Sequence, residues 1–187
     1  ELPHISGKRV AVIGAGNTAI DAVRTALRLG AKEVSIVYRR SEEEMPARAD
    51  EIKHAHEEGA KFFTLHNPVE YLGDEAGKLT AMRLERMELG EPDDSGRRRP
   101  VPTGEHITLP VDEVIICIGY SASTELAESM PQLETNKWGN ILVDEAKKTS
   151  LEMIYAGGDI VRGAATVILA MGDGRKAAAS LHERLTG

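Results

Sequence analysis

A single cysteine, Cys117, is all that 187 residues provide. Within this chain, that excludes an intramolecular disulfide, an all-cysteine metal site and a Cys-x-x-Cys redox pair. Cys117 lies in the apolar run Val114-Ile115-Ile116-Cys117-Ile118, so it reads as an inert buried thiol in a reducing, cytoplasmic setting. No apolar run approaches the ~20 residues of a membrane-spanning helix. The opening Glu1-Leu2-Pro3-His4-Ile5-Ser6-Gly7 reads as a lead into a strand, with no signal-peptide pattern. Basic charge is in deficit, with 23 Lys and Arg against 30 Asp and Glu and a net charge of −7, which argues against general nucleic-acid binding. His54 and His56 fall two apart on an expected helix, where they do not share a face. They read as surface histidines, and no metal site is expected. Internal repeats and low-complexity tracts are absent. With 41% hydrophobic residues, the chain has material for one globular domain, or one and a fraction.

What is present is organised around one stretch. Residues 10–13, Val-Ala-Val-Ile, read as a buried strand that breaks at Gly14-Ala15-Gly16 and hands over to a helix with Ile20, Val23 and Leu27 on one face. Strand, tight glycine turn and helix together aim helix N-terminal N–H groups and the helix dipole at a pyrophosphate. Gly14 is expected to make the turn. Gly16, lacking a Cβ, lets the backbone approach phosphates, and Ala19 takes the third small position, where helix and strand pack closely. The bland alternative is a tight turn with no nucleotide.

The next strand, 33–38, alternates and is rich in β-formers, and Gly30 closes the helix before it. An NAD site should end this strand in Asp or Glu, about 20 residues beyond the glycine turn. Arg39 and Arg40 stand there instead. A carboxylate repels a 2′-phosphate, whereas a guanidinium fork accepts it. The pair therefore favours NADP(H) over NAD(H), against a solvated strand end as the alternative.

Further on, Glu42, Glu43 and Glu44 open a helix expected over 46–58, with Pro46 first and Gly59 as the stop. The acidic run is a solvated face or part of the cofactor-pocket rim. Residues 61–66 read as a third strand, ended by Asn67-Pro68, completing a βαβαβ unit. Two strands follow at 79–89 and 105–109, a β-meander crossing back over the parallel sheet. Their linker, 90–100, is all turn formers and charge and is expected as an exposed loop. Arg97-Arg98-Arg99 is either solvated or a docking patch for an acidic partner. Residues 114–118 are expected at the sheet centre, stopping at Gly119, where a cofactor lies close to backbone.

A second unit begins near residue 120, with a short helix in 120–132 and strands at 141–143 and 153–156. The latter ends at Gly157-Gly158-Asp159, a second glycine-marked strand end whose Asp suits a hydroxylated, sugar-like chain. Arg162-Gly163-Ala164-Ala165-Thr166 opens a long helix with Val167, Met171, Ala178, Leu181 and Leu185 inside. Gly172 and Gly174 cost about 1 kcal/mol each in a helix. Either a close approach justifies them or the helix breaks near Gly172.

Three stretches carry a family resemblance: Gly14-Ala15-Gly16-Asn17-Thr18-Ala19-Ile20-Asp21, Tyr38-Arg39-Arg40-Ser41-Glu42-Glu43-Glu44-Met45-Pro46-Ala47, and Gly90-Glu91-Pro92 with Gly96-Arg97-Arg98-Arg99-Pro100. They resemble the small (β) subunit of NADPH-dependent glutamate synthase and related FAD–NAD(P)H oxidoreductases. Ala156-Gly157-Gly158-Asp159 and Asp173-Gly174-Arg175-Lys176-Ala177-Ala178 resemble that family's closing FAD segment. The match runs from about Gly7 to Leu185.

The resemblance implies an α/β, FAD/NAD(P)-binding, Rossmann-like three-layer fold: a parallel sheet with helices and a β-meander crossover. Residues 1–120 are then the NADPH-binding domain and 121–187 the C-terminal segment of the FAD-binding domain. By position, Gly14, Gly16, Asn17, Thr18 and Ala19 hold the NADPH pyrophosphate, and Arg39 and Arg40 its 2′-phosphate. Gly119 lies near the nicotinamide. Gly158 and Asp159 hold FAD, Asp159 through the ribityl hydroxyls, and Ala165 and Thr166 face the flavin pyrimidine edge. The implied activity is hydride transfer from NADPH to FAD and electron flow through iron–sulfur clusters to a partner, the large glutamate synthase subunit or another acceptor, in glutamate biosynthesis.

The family's first FAD glycine motif and its cysteine-rich iron–sulfur domain are not in this sequence. It therefore reads as a C-terminal fragment with an incomplete FAD site, inactive alone, and no catalytic side chain is named. Two rivals remain: a pyridine-nucleotide disulfide reductase relative, which needs a Cys pair, and a non-enzymatic NADP-sensing regulatory domain.

Overall fold

The computed structural model describes residues 4–92 and 96–187. The chain divides into two compact units, with the boundary between Ile118 and Gly119.

The first unit is built on a four-stranded parallel sheet. Strand β1 (Arg9–Ile13) leads through the glycine turn into helix α1 (Asn17–Arg28), then β2 (Glu33–Tyr38), α2 (Ala49–Glu57) and β3 (Lys61–Thr64). After β4 (His66–Gly73), β5 (Leu79–Pro92) and β6 (Arg98–Pro110), β7 (Glu113–Ile116) returns to this sheet. The order is β3-β2-β1-β7, while β4-β5-β6 form a separate antiparallel sheet.

Alternation along β1 and β2 explains the three layers. Val10, Val12, Val34 and Ile36 join Ala19, Ile20, Val23 and Ala55 of the helices in one core. Ala11, Ile13 and Val37, pointing the opposite way, join Met82, Leu84 and Leu109 of the antiparallel sheet in a second. Successive side chains of a strand face opposite sides, so β1 serves both cores. Full burial of each such aliphatic side chain contributes about 1.5–3 kcal/mol. The three-layer α/β fold expected from the sequence is the one observed.

Several boundaries differ from expectation. Helix α2 starts at Ala49, not at Pro46, because Glu42–Glu44 form a separate 3-10 turn closed by a Ser41/Glu44 capping box. The third strand does not end at Asn67-Pro68. It stops at Thr64, and Leu65, in the left-handed region at φ 55°, redirects the chain into β4. Leu65 is tied to both sheets: its N–H donates to the Arg40 carbonyl (2.9 Å), and its carbonyl accepts from the Met87 N–H (2.8 Å). Pro68 is tolerated within β4 because that strand is an edge.

The expected 90–100 loop is mostly strand, since β5 continues to Pro92 and β6 begins at Arg98. Of that loop, residues 93–95 lie outside the described residues, as do residues 1–3 of the expected lead. Strand β7 was expected at the centre of the sheet, yet among the described residues it pairs with β1 alone, leaving Ile116 exposed. An apolar run specifies burial but not how many strands will pair with it. At its start, β7 is fixed by Arg9, whose guanidinium donates to Asp112 (Nε–Oδ2 3.0 Å, Nη2–Oδ1 2.6 Å), and by a Lys8–Glu113 ion pair.

The second unit holds α3 (Glu125–Ser129), α4 (Asp159–Arg162) and α5 (Val167–Thr186). The strands expected at 141–143 and 153–156 are only isolated bridges, Thr135 to Ile141 and Lys148 to Tyr155. Lys147 and Met153, at φ 67° and 64°, interrupt the extended backbone there. Helix α5 runs unbroken through Gly172 and Gly174, and a Cβ at either would meet nothing within 4 Å. The expected inner face is not inside: Val167, Met171, Ala178 and Leu185 are exposed, and Asp173 is the buried residue of this helix. Asp173 ties α5 to Lys147 and Arg162 of its unit by ion pairs.

Candidate dinucleotide-binding site

The glycine turn sits at the C-terminal ends of parallel strands, where ligands of such sheets bind. Gly14 has φ 121°, and a Cβ on it would lie 2.2 Å from the Cys117 carbonyl oxygen. Its N–H donates to the Val37 carbonyl (3.0 Å), while the Cys117 N–H donates to the Ile13 carbonyl (2.7 Å). Gly14 is thus required by its neighbours as well as by its backbone conformation. Burial pushes the pKa of the half-buried Cys117 thiol up, which fits an inert sulfur.

Gly16 differs. It is extended, precedes α1, and a Cβ there would meet nothing within 4 Å, so the space before it is open. No side chain caps α1 and its first turn holds no acid. The dipole's positive end and the first amides, Asn17 and Thr18, therefore carry no compensating carboxylate. Ala19 is fully buried beneath the turn. The Asn17 Oδ1 accepts from the Arg48 N–H (3.0 Å) and the Ala15 carbonyl from the Ala47 N–H (3.2 Å), binding the segment before α2 to the glycine turn.

Arg39 and Arg40 follow β2 directly, but the two are unlike. Arg39 is exposed. Arg40 is 5% exposed, and its Nε donates to the Arg98 carbonyl of β6 (2.8 Å). Between these arginines and α2, the Tyr38 hydroxyl donates to the Glu44 carbonyl (2.9 Å). A cavity of about 530 Å³ lies beside this loop, lined by Glu43, Glu44, Met45, Pro46, Gly96, Arg97 and Arg98. Arg97-Arg98-Arg99, read as a solvated loop or a docking patch, is in part internal bracing: Arg98 pairs with Glu44 and Glu43.

Gly14, Gly16, Asn17, Thr18, Ala19, Arg39 and Arg40 thus lie together on one strand-end face of the first unit. Gly119, Gly158, Asp159, Ala165 and Thr166 belong to the second unit. There Gly158 (φ 78°) begins α4, Asp159 is exposed at its first position, and Thr166 precedes α5. Asp173 holds this region. Only 3% exposed, it accepts from Arg162 (Nε 2.5 Å, Nη2 2.7 Å), Lys147 Nζ (2.8 Å) and the Gly158 N–H (3.1 Å). Arg162 first, then Lys147 and the Gly158 amide, hold its carboxyl far below the usual carboxylate range. A Cβ on Gly157 would lie 2.6 Å from that of Asp173, so the close approach expected at Gly172 or Gly174 occurs at Gly157. The sequence reading missed Asp173 as an organiser. The available signal was a carboxylate placed between two glycines of an otherwise apolar helix segment.

Fold and site together define a three-layer α/β protein with a glycine turn at the C-terminal ends of its parallel strands. The chain matches the pyridine nucleotide-disulphide oxidoreductase family over residues 1–174, and it belongs to that family. It is 46% identical over 185 residues to the NADP(+)-dependent formate dehydrogenase subunit beta of Moorella thermoacetica, an alignment covering 98% of this chain and 26% of that protein. It is 43% identical over 184 residues to the glutamate synthase [NADPH] small chain of Escherichia coli K12, covering 94% of this chain and 39% of that one. The chain therefore spans between about a quarter and two-fifths of these relatives. Among solved structures, T. acidophilum thioredoxin reductase superposes with a TM-score of 0.79 at 26% identity, covering 98% of this chain and 54% of that chain. The resemblance read from the three motif stretches holds over nearly the whole chain.

Proposed function

We propose that this chain is the NADP(H)-binding portion of a flavin-dependent oxidoreductase of the glutamate synthase small-chain type. Its first unit binds the nicotinamide nucleotide, and its second contributes the closing segment of a flavin site. The observation that carries the reading is the uncapped α1 N-terminus behind Gly16, with an arginine pair at the end of the adjacent strand. The open space before Gly16 fits a pyrophosphate, and exposed Arg39 fits a 2′-phosphate. NADP or NADPH in the names of both relatives supports the same preference.

The chemistry such cofactors supply is hydride transfer from nicotinamide to flavin. The residues here bind and orient; none is required as acid or base, and no catalytic side chain is assigned. Asp159, at the glycine-marked start of α4, is the residue proposed to accept hydrogen bonds from the flavin's hydroxylated chain, with Gly158, Ala165 and Thr166 around it and Gly119 near the nicotinamide. In this reading electrons pass on through iron–sulfur clusters to a partner subunit in the cytoplasm; of these, only the partner is supported by the words subunit and small chain in the relatives' names. Among the described residues, no helix is long and apolar enough to cross a membrane, and none of their His, Cys, Asp and Glu side chains form a metal-binding group.

Calorimetric titration tests the reading. The chain should bind NADPH at least tenfold more tightly than NADH. It should stay colourless and show no NADPH oxidation with added FAD beyond the free-flavin background, since a single glycine turn supports one pyrophosphate. Stoichiometric FAD on the purified chain would overturn the incomplete flavin site, and equal affinity for the two nucleotides would refute the NADP(H) reading.

A further inference from the structure

The loop after β2 poses an electrostatic problem. Within six residues it carries two arginines and three glutamates, Arg39-Arg40-Ser41-Glu42-Glu43-Glu44. A phosphate monoester is itself a dianion near neutral pH, so unpaired carboxylates beside it would cancel much of what the arginines offer. A strand-end carboxylate is also the feature that turns such sites toward the unphosphorylated ribose.

The structure resolves this with one residue from another sheet. Arg98, first in β6, acts at both of its ends. Its carbonyl accepts from Arg40 Nε (2.8 Å), fixing a buried guanidinium. Its own Nε donates to Glu44 Oε1 (2.7 Å), and its Nη2 lies 3.5 Å from Glu43 Oε2. The Glu44 side chain is only 9% exposed and also accepts from the Ser41 N–H (3.2 Å) and the Ser41 hydroxyl. Ser41's hydroxyl, followed by Arg98 and working against burial, keeps this carboxyl ionised below its ordinary range. At neutral pH Glu44 thus carries a negative charge beside the arginine pair, and Arg98 is the cation bonded to it.

We propose that Arg98 is a positioning and specificity residue for the 2′-phosphate of NADP(H). Through its backbone it anchors Arg40, and through its guanidinium it neutralises Glu44. The inference rests on the NADP(H) reading above and deepens it: a residue that tunes the preference is not in the nucleotide motif but 58 residues after Arg40, on the antiparallel sheet. Because Arg98 acts through its neighbours, replacing it should alter phosphate recognition without touching adenosine or pyrophosphate recognition.

Binding of 2′,5′-ADP and 5′-AMP, which differ only by the 2′-phosphate, tests this by calorimetry on the intact chain. Arg98→Ala should weaken 2′,5′-ADP binding about tenfold, roughly the loss of one charge-assisted interaction, and leave 5′-AMP unchanged. Arg98→Ala combined with Glu44→Gln, which removes the orphaned charge, should recover most of that loss. A structural role alone predicts no recovery. Should Arg98→Ala not fold, Arg98→Lys keeps a charge without the fork, and an intermediate loss confined to 2′,5′-ADP is expected. The proposal is overturned if the Arg98 variants bind 2′,5′-ADP like the wild type, if both ligands weaken equally, or if Glu44→Gln rescues nothing. Arg39→Ala separates the two levels. If it abolishes the preference while Arg98→Ala leaves 2′,5′-ADP binding at the wild-type level, only this inference fails. If the wild type does not prefer 2′,5′-ADP at all, the NADP(H) reading fails, and this inference with it.

Discussion

A Cβ at position 14 would lie 2.2 Å from the carbonyl oxygen of Cys117, and that oxygen belongs to backbone held by the Cys117 N–H to Ile13 bond. The first glycine of the turn is therefore a packing requirement between β1 and the end of β7 before it is anything for a ligand. Gly14→Ala must move backbone and adopt a strained positive φ, so a destabilisation of about 2–4 kcal/mol is expected. Urea denaturation measures it; a midpoint unchanged from wild type would remove Gly14 from the scaffold.

Gly16→Ala separates binding from folding. Its backbone is extended and the space around its Cβ position is open, so stability should change by less than about 0.5 kcal/mol. NADPH affinity should nevertheless fall at least tenfold, because the methyl group takes the pyrophosphate's place. Thermal melts with and without NADPH read both effects, and undiminished affinity would mean that no phosphate lies at this turn.

The two arginines should part company when replaced singly. Arg39→Ala should leave the melting temperature unchanged and reduce NADPH binding by about 1.5–3 kcal/mol, the range for a hydrogen bond to a charged group, with NADH barely affected. Arg40→Ala removes a buried side chain bonded to Arg98 and should lower stability as well as affinity. Equal loss of NADPH and NADH in the Arg39 variant would count against 2′-phosphate recognition.

Acid should weaken the first unit through Asp112. The Arg9 guanidinium, aided by the Arg9 backbone N–H, holds this carboxyl well below its ordinary value. A depressed folded-state pKa means the unfolded chain takes up the proton first. The stabilisation is then fully present above about pH 4 and is lost as pH falls further. Asp112→Asn should accordingly lower the melting temperature at pH 7, and the gap to wild type should close on acidification. A gap that widens toward low pH would show that this ion pair is not the titrating element.

The βαβαβ unit was legible because its signals are local. The alternation of β1 and β2, the stripe of Ile20 and Val23, and the glycines at 14 and 30 each fix a conformation within a few residues. The glycine turn and the position of the arginine pair at the end of β2 were readable for the same reason, since consecutive residues set both. Strand ends were harder to read. Leu65 looks like any strand residue, and only its bonds to Arg40 and Met87 show that the chain changes sheets there.

What only the tertiary structure decided is which charges are inside and what they hold. Arg39 and Arg40 are identical in type and adjacent in sequence, yet one is exposed and the other buried against a carbonyl 58 residues away. Likewise, Asp112 is paired by Arg9 from 103 residues earlier, and Asp173 is enclosed by Arg162 and Lys147 on the approach to α5. Composition fixes how many charges exist and periodicity fixes which face of an element they occupy. The stability of a buried charge depends on a partner delivered by another element, and that pairing exists only once the chain has closed on itself.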